Sequence, residues 1–223
     1  MNIIKKTVIR NIKTIFDSFA KQNGFTFLKP LVLIRIQNDI LHIISFDLSS
    51  GGFTCDVAVQ PLFVPSNNLV LSFGNRISRL GVCMPERWTY GDSEASIIKG
   101  LEEIRDLMTE NGLDWFKCLN HPEGIVEYIE SGKVADPQYI VAFAPHLRWL
   151  YLGFCYLWLG EMVKARMSLE ELEKHLQNDQ RPWVVQLRQL GKDYSIMAEQ
   201  NPKQIPEKLD ENMFLTKKQI GVK

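Results

Sequence analysis

Apolar residues Ile4, Val8, Ile12, Ile15, Phe16 and Phe19 recur at helical spacing, with Lys5, Lys6, Arg10, Lys13 and Lys21 on the remaining face. This predicts an amphipathic helix over residues 2–22, closed by Asn23-Gly24. Three β-rich runs follow, 31–37, 40–48 and 53–63, separated by Asn38-Asp39 and by Ser49-Ser50-Gly51-Gly52. They predict an antiparallel meander. A two-residue turn at Asn38-Asp39 puts Val32, Ile34, Ile36, Leu41 and Ile43 on one face, and the first helix is the expected cover. The other face carries Arg35, Gln37 and His42 near the turn but Leu31, Leu33, Ile44, Phe46, Cys55 and Val57 further along, so both faces are partly buried.

From Pro61 to Trp88 the alternation loosens around Pro65-Ser66-Asn67-Asn68, which predicts a long excursion with room for one short edge strand. Arg76, Arg79, Arg87, Trp88 and Tyr90 lie in it. Arginines interleaved with aromatics suit a carboxylate, a phosphate or an acidic patch on a partner. The plain alternative is pairing with Glu86 or Asp92. Ser93 caps a predicted helix through Asn111 with Ile97, Ile98, Leu101, Ile104, Leu107 and Met108 on its apolar stripe, ended by Asn111-Gly112. Residues 113–119 are short and aromatic, 123–131 read as a further helix closed at Gly132, and Asp136-Pro137 reads as a boundary.

Beyond it, Trp149, Leu152, Gly153 and Tyr156, followed by Ala165 and Leu169, match the tetratricopeptide pattern W-x2-L-G-x2-Y with a small and a bulky residue on a second helix. In that pattern Gly153 and Ala165 let two backbones approach closely, with Gly160-Glu161 as the turn. A third helix, 182 to about 199, is expected to cap the pair. Trp115, Trp149 and Trp183 are spaced at the repeat period, but Pro122, Gly124, Gly132 and Pro137 break the helices an upstream repeat would need. One repeat buries too little surface alone and should dock on the preceding domain. Residues 201–223 are expected to be extended, with Met213-Phe214-Leu215 lying in a groove of this protein or serving as a handle for another.

Residues 1–131 resemble a family of uncharacterised, mainly bacterial α+β domains. The likeness rests on Phe25 to Pro30 leading into the first strand, Leu41-His42-Ile43-Ile44-Ser45-Phe46 running into Ser49-Ser50, Phe53 opening the next strand, and the late helix and leucine-bearing segment, Ile97 to Leu119. It implies an α+β fold and brings no activity. The expected organisation is an α+β domain over 1–135, a tetratricopeptide-like all-α unit over 136–200 docked on it, and the tail.

Composition narrows the function. Lys plus Arg equals Asp plus Glu at 26 each, so there is no overall field for nucleic acid or an anionic membrane. The basic face of the first helix reads as a solvated surface. Cys55, Cys83, Cys118 and Cys155 have no ligand spacing, which points to free thiols in a reducing cytoplasm, and neither a signal peptide nor a bilayer-spanning run is visible. No nucleophile elbow, metal cluster or phosphate loop is present, so no catalytic residue, cofactor or metal is expected. His42 reads as a core or edge histidine, and Asp47 with Asp56 as a polar sheet end. Two readings stand: a non-catalytic adaptor or immunity-type protein with a protein partner, or a binder of an anionic small molecule or an enzyme using Arg76, Arg79, Arg87, Trp88 and Tyr90.

Overall fold

The computed structural model describes residues 3–81, 84–133 and 144–222; the expected boundary at Asp136-Pro137 and Cys83 lie outside them. The fold is α+β, built on a five-stranded antiparallel sheet in the order β1 (Thr26–Lys29), β2 (Val32–Gln37), β3 (Ile40–Leu48), β4 (Phe53–Pro61) and β5 (Gly74–Arg76). Asn38 and Asp39 both take positive φ, 48° and 62°, the geometry that lets a two-residue turn follow the strand twist. That turn fixes Arg35 opposite His42 and Leu33 opposite Ile44.

Helix α1 (Ile3–Asn23) buries Val8, Ile12, Phe16 and Phe19 and ends at Gly24, φ 71°. It does not cover the face expected. Phe16 meets Phe46 edge to face at 5.1 Å, so α1 lies on the face of Leu33, Ile44, Phe46, Cys55 and Val57. Alternation alone could not choose, because both faces are apolar. The face of Ile34, Leu41, Ile43 and Ala58 is instead closed by Met213, Ile220 and Val222 from the C-terminal end of the chain.

The presumed extended tail is therefore a second correction: Ile205–Ile220 is a helix, α8. Pro206 sits in its first turn, where a missing N–H costs nothing. Its buried stripe, Ile205, Leu209, Asn212 and Thr216, is half polar, which hides the periodicity. A third correction concerns Asn111-Gly112. Helix α2 (Glu94–Leu107), capped by Ser93, runs through a π turn at Met108–Gly112 into α3 (Leu113–Cys118) without stopping. Gly112 keeps right-handed angles, φ −65° and ψ −40°; a Cβ there would stand 2.7 Å from Met108 Cε. Glycine serves packing here, where the sequence suggests a stop.

Helix α4 (Pro122–Glu130) leads to the helices α5 (Pro145–Trp158), α6 (Met162–Leu176) and α7 (Pro182–Gln200). A Cβ on Gly153 would meet Leu169 Cδ2 at 2.6 Å, so α5 and α6 touch at the expected residues. The core is continuous across the two parts: Phe63 stacks on Trp158 at 4.8 Å, and Phe73 meets both Tyr128 and Tyr151 at about 6 Å. Among the described residues no helix is long and apolar enough to cross a membrane.

One polar node lies inside this core. Arg35 Nε and Nη2 sit 3.1 and 3.0 Å from His42 Nδ1, Arg35 Nη1 donates to the Asn23 carbonyl, and the His42 ring stacks on Phe116 at 4.6 Å. With Nδ1 accepting, the ring proton belongs on Nε2. Burial, aided by the Arg35 charge, pulls the His42 pKa to about 3.

Two predictions follow from packing and charge. Folded His42 stays neutral where the unfolded chain's histidine, near pH 6.5, takes a proton. Stability is thus full above that value and falls by about 1.4 kcal/mol per unit as pH drops toward 3. His42→Gln keeps an acceptor for Arg35 but does not titrate. Its unfolding free energy should decline less steeply than the wild type's between pH 6 and 4; parallel curves would refute the assignment. At Gly153, Ala brings about 1 kcal/mol of helix propensity against about 1–3 kcal/mol of overpacking on Leu169. Gly153→Ala should destabilise the wild type and stabilise a Leu169→Ala background, a sign reversal readable by chemical denaturation.

Candidate functional site at the junction of sheet and helices

The five loop residues singled out by sequence do not converge. Arg76 Nη1 and Arg79 Nη2 share Glu86, at 3.8 and 3.2 Å, and Arg76 Nε lies 4.0 Å from Asp56. Arg87 donates to the Ser49 hydroxyl and Tyr90 OH donates to the Ser49 carbonyl at 2.6 Å, so both pin the β3–β4 turn. Trp88 is buried: its backbone exchanges two hydrogen bonds with Phe53, its ring covers Gly100, and Nε1 donates to Glu103 at 2.9 Å. The segment is a strap that seals the end of the sheet. Arg76 borders a cleft of about 190 Å³ beside Asp56 and Leu71, whereas Tyr90 borders a different one of about 230 Å³ beside Ile4 and Asp92. Asp56 has its pKa raised by burial, with Arg76 opposing and Asp47 reinforcing the shift, as befits a polar sheet end.

A larger cleft, about 470 Å³, opens where the two parts of the chain meet. One wall is the irregular stretch after β4. Gln60, buried on the sheet, holds it from below: its amide donates to the Asn68 carbonyl at 3.2 Å and accepts from Val70 N at 2.9 Å. Ser66 Oγ adds a bond to the Asn68 carbonyl at 2.8 Å and accepts from Asn68 N. A stretch without regular structure is thereby fixed, while Asn67 and Asn68 remain exposed. The facing wall is helical, with Leu147 and Leu150 from α5 and Trp183, Gln186, Leu187 and Leu190 from α7.

The charge of this cleft is its most informative property. Among the described residues, the fifteen that line it include no Asp, Glu, Lys or Arg, in a chain whose residues are 23% charged. Burial, then the charge of Arg181, holds His146 below the usual histidine range, with Asp179 acting against them and His175 with them. His146 is therefore neutral at pH 7. Trp183 stands at the rim, 45% exposed, tilted 5.7 Å from the His146 ring. The Arg181 guanidinium lies 4.8 Å from the Trp183 ring centre and is anchored by Asp179, whose carboxyl that pairing holds at about 2.

Among the described residues no reacting constellation accompanies the cleft. Tyr151, on its floor, and Cys155, in the same helix, are buried, and burial pushes both pKa values far up. Among the described residues no group of three His, Cys, Asp or Glu side chains could hold a metal ion. What the arrangement offers is an apolar hollow, an aromatic rim and amides that both donate and accept. The sequence carried one faint sign of it, the paired asparagines after Pro65, which read there only as part of a long excursion. No protein family, curated protein or solved structure matches the chain.

Proposed function

We propose that the chain is a non-catalytic binding protein whose junction cleft receives an uncharged segment of a partner protein, anchored by an aromatic or branched apolar side chain. The observation that carries this reading is the neutral lining of a preformed cleft. About 300–1,000 Å³ is the range of pockets that enclose a ligand, and the volume here falls within it. A charged ligand would lose its hydration in such a site, because no charged side chain is among its described lining residues and Arg181 at the rim is already paired with Asp179. Backbone amides of a peptide, by contrast, match Gln186, Asn67 and Asn68 as donors and acceptors, and the hollow between Leu147, Leu150, Leu187 and Leu190 takes the anchor. Both walls are held by the fold before binding, which lowers the ordering cost.

We further infer that α5 and α6 form a single tetratricopeptide-like repeat. Support comes from Gly153 against Leu169 and from the burial of Tyr156 and Ala165. Repeats of that kind commonly present a face to peptides, and here α7 and the sheet excursion complete it. The anionic-ligand reading has less support, because Arg76 and Arg79 share Glu86 and Arg87 serves Ser49.

The test is selection of an unbiased displayed-peptide library on the full chain. Enriched peptides should be neutral with one aromatic or branched anchor, should shift the tryptophan emission, and should lose affinity at least ten-fold on Trp183→Ala and on Leu187→Arg. Enrichment of acidic peptides that ignore both substitutions but are lost on Arg76→Ala with Arg79→Ala would overturn the reading in favour of the arginine strap.

A further inference from the structure

Helix α8 reaches the cleft through two buried polar side chains one turn apart. Asn212 Nδ2 donates to the Phe63 carbonyl at 3.1 Å and to Tyr194 OH at 2.6 Å. Phe63 opens the irregular wall and Tyr194 belongs to α7, which supplies half of the helical wall, so one amide links both. Thr216 Oγ1 donates to the Val64 carbonyl at 3.4 Å and accepts from Ser66 N at 3.3 Å. Both amide donors and both roles of the hydroxyl are used.

We propose that Asn212 and Thr216 are positioning residues that set the separation of the two walls, so that docking of α8 and occupation of the cleft are coupled. The proposal rests on the cleft being the binding site. Three observations converge on it. First, α8 needs neither residue for adhesion, since Ile205 and Leu209 are buried against the core and Met213 and Ile220 close the second face of the sheet. Apolar residues at 212 and 216 would suit a helix face better, and buried polar groups of this kind specify geometry more than they add stability. Second, the groups they serve are the Phe63 and Val64 carbonyls and the Ser66 amide, at the root of the wall that Gln60 and Ser66 fix further on. Loss of α8 would leave them without partners. Third, α8 and the cleft occupy successive stretches of the same side of α7: Tyr194 bonds to α8, while Trp183, Gln186, Leu187 and Leu190 face the opening. Linkage is reciprocal, so whatever tightens one should tighten the other.

The experiment uses the full chain and N-phenyl-1-naphthylamine, a neutral apolar dye, followed by energy transfer from tryptophan, with amide exchange of residues 64–70 read in parallel. The wild type should bind the dye and Leu187→Arg should not. Thr216→Val, isosteric but without hydrogen bonds, should weaken binding about five- to thirty-fold and speed exchange at 64–70. Thr216→Ser should restore both to within about two-fold, because the hydroxyl is retained. Tyr194→Phe removes only the acceptor on α7 and should weaken binding without altering exchange at Ser66. Wild-type binding and exchange in Thr216→Val and Tyr194→Phe would overturn the positioning role while leaving the cleft in place. A dye signal insensitive to Leu187→Arg would overturn the cleft reading and this proposal with it.

Discussion

An irregular segment whose two ends are buried between layers must find partners for its own backbone there, and the architecture turns on how residues 62–73 do so. An unpaired buried N–H or C=O costs about 1–3 kcal/mol, and this segment has no neighbouring strand along most of its length. Its partners come from the sheet and from α8. Leu62 N reaches the Asp39 carbonyl in the β2–β3 turn, Gln60 takes Asn68 and Val70, Asn212 and Thr216 take Phe63, Val64 and Ser66, and the Phe73 carbonyl returns to Val59. Sheet and C-terminal helix are tied together by the needs of a dozen residues.

The same segment supplies the apolar linkage. Phe63 and Phe73 are fully buried and insert at its two ends, one against Trp158 and the other between Tyr128 and Tyr151. Pairs of buried rings contribute about 0.5–1.5 kcal/mol beyond their area. An excursion long enough to look like a loop is thus the mortar between the parts, and it helps to cover the helix pair α5 and α6. The open side of the pair is filled by α7, by the excursion and by α8. The cleft is the remainder that this filling leaves.

Local physics was legible in the sequence and long-range choice was not. The Asn38-Asp39 turn, the stops at Gly24, Gly132 and Gly160, and the contact at Gly153 each depend on a few neighbouring residues, and each occurs where the pattern places it. Which face of the sheet α1 covers depends on two apolar surfaces of nearly equal quality, and the tie is broken by α8, some 160 residues further along. That helix was itself hidden, because Asn212 and Thr216 occupy the positions where a periodic stripe would show leucine. Asn111-Gly112 misled for the opposite reason: a strong stop dipeptide was overridden by packing on Met108. The arginine strap was legible in its plain reading, pairing with Glu86, and illegible as a pocket. The cleft draws on residues near 60–70, 146–151 and 183–190, and amides in a loop carry no periodic signal.

The two polar centres of the molecule differ in a way that separates scaffolding from function. At Arg35 and His42, every favourable contact points inward: the guanidinium lies 4.6 Å from the Phe25 ring centre, the imidazole stacks on Phe116, and no listener outside the core is reached. Such a node constrains the fold and responds to acid. At the cleft the order is reversed. Gln60, Asn212 and Thr216 are buried and spend their hydrogen bonds on the wall, so that Asn67, Asn68 and Gln186 are left facing solvent on a backbone that cannot relax around them. Polar groups held in place but not consumed are what recognition requires, because the ordering cost falls on folding and not on binding. The neutral lining bears on the occupant proposed above: with no Asp, Glu, Lys or Arg among the described residues of the walls, a charged group would enter only at a net loss of hydration.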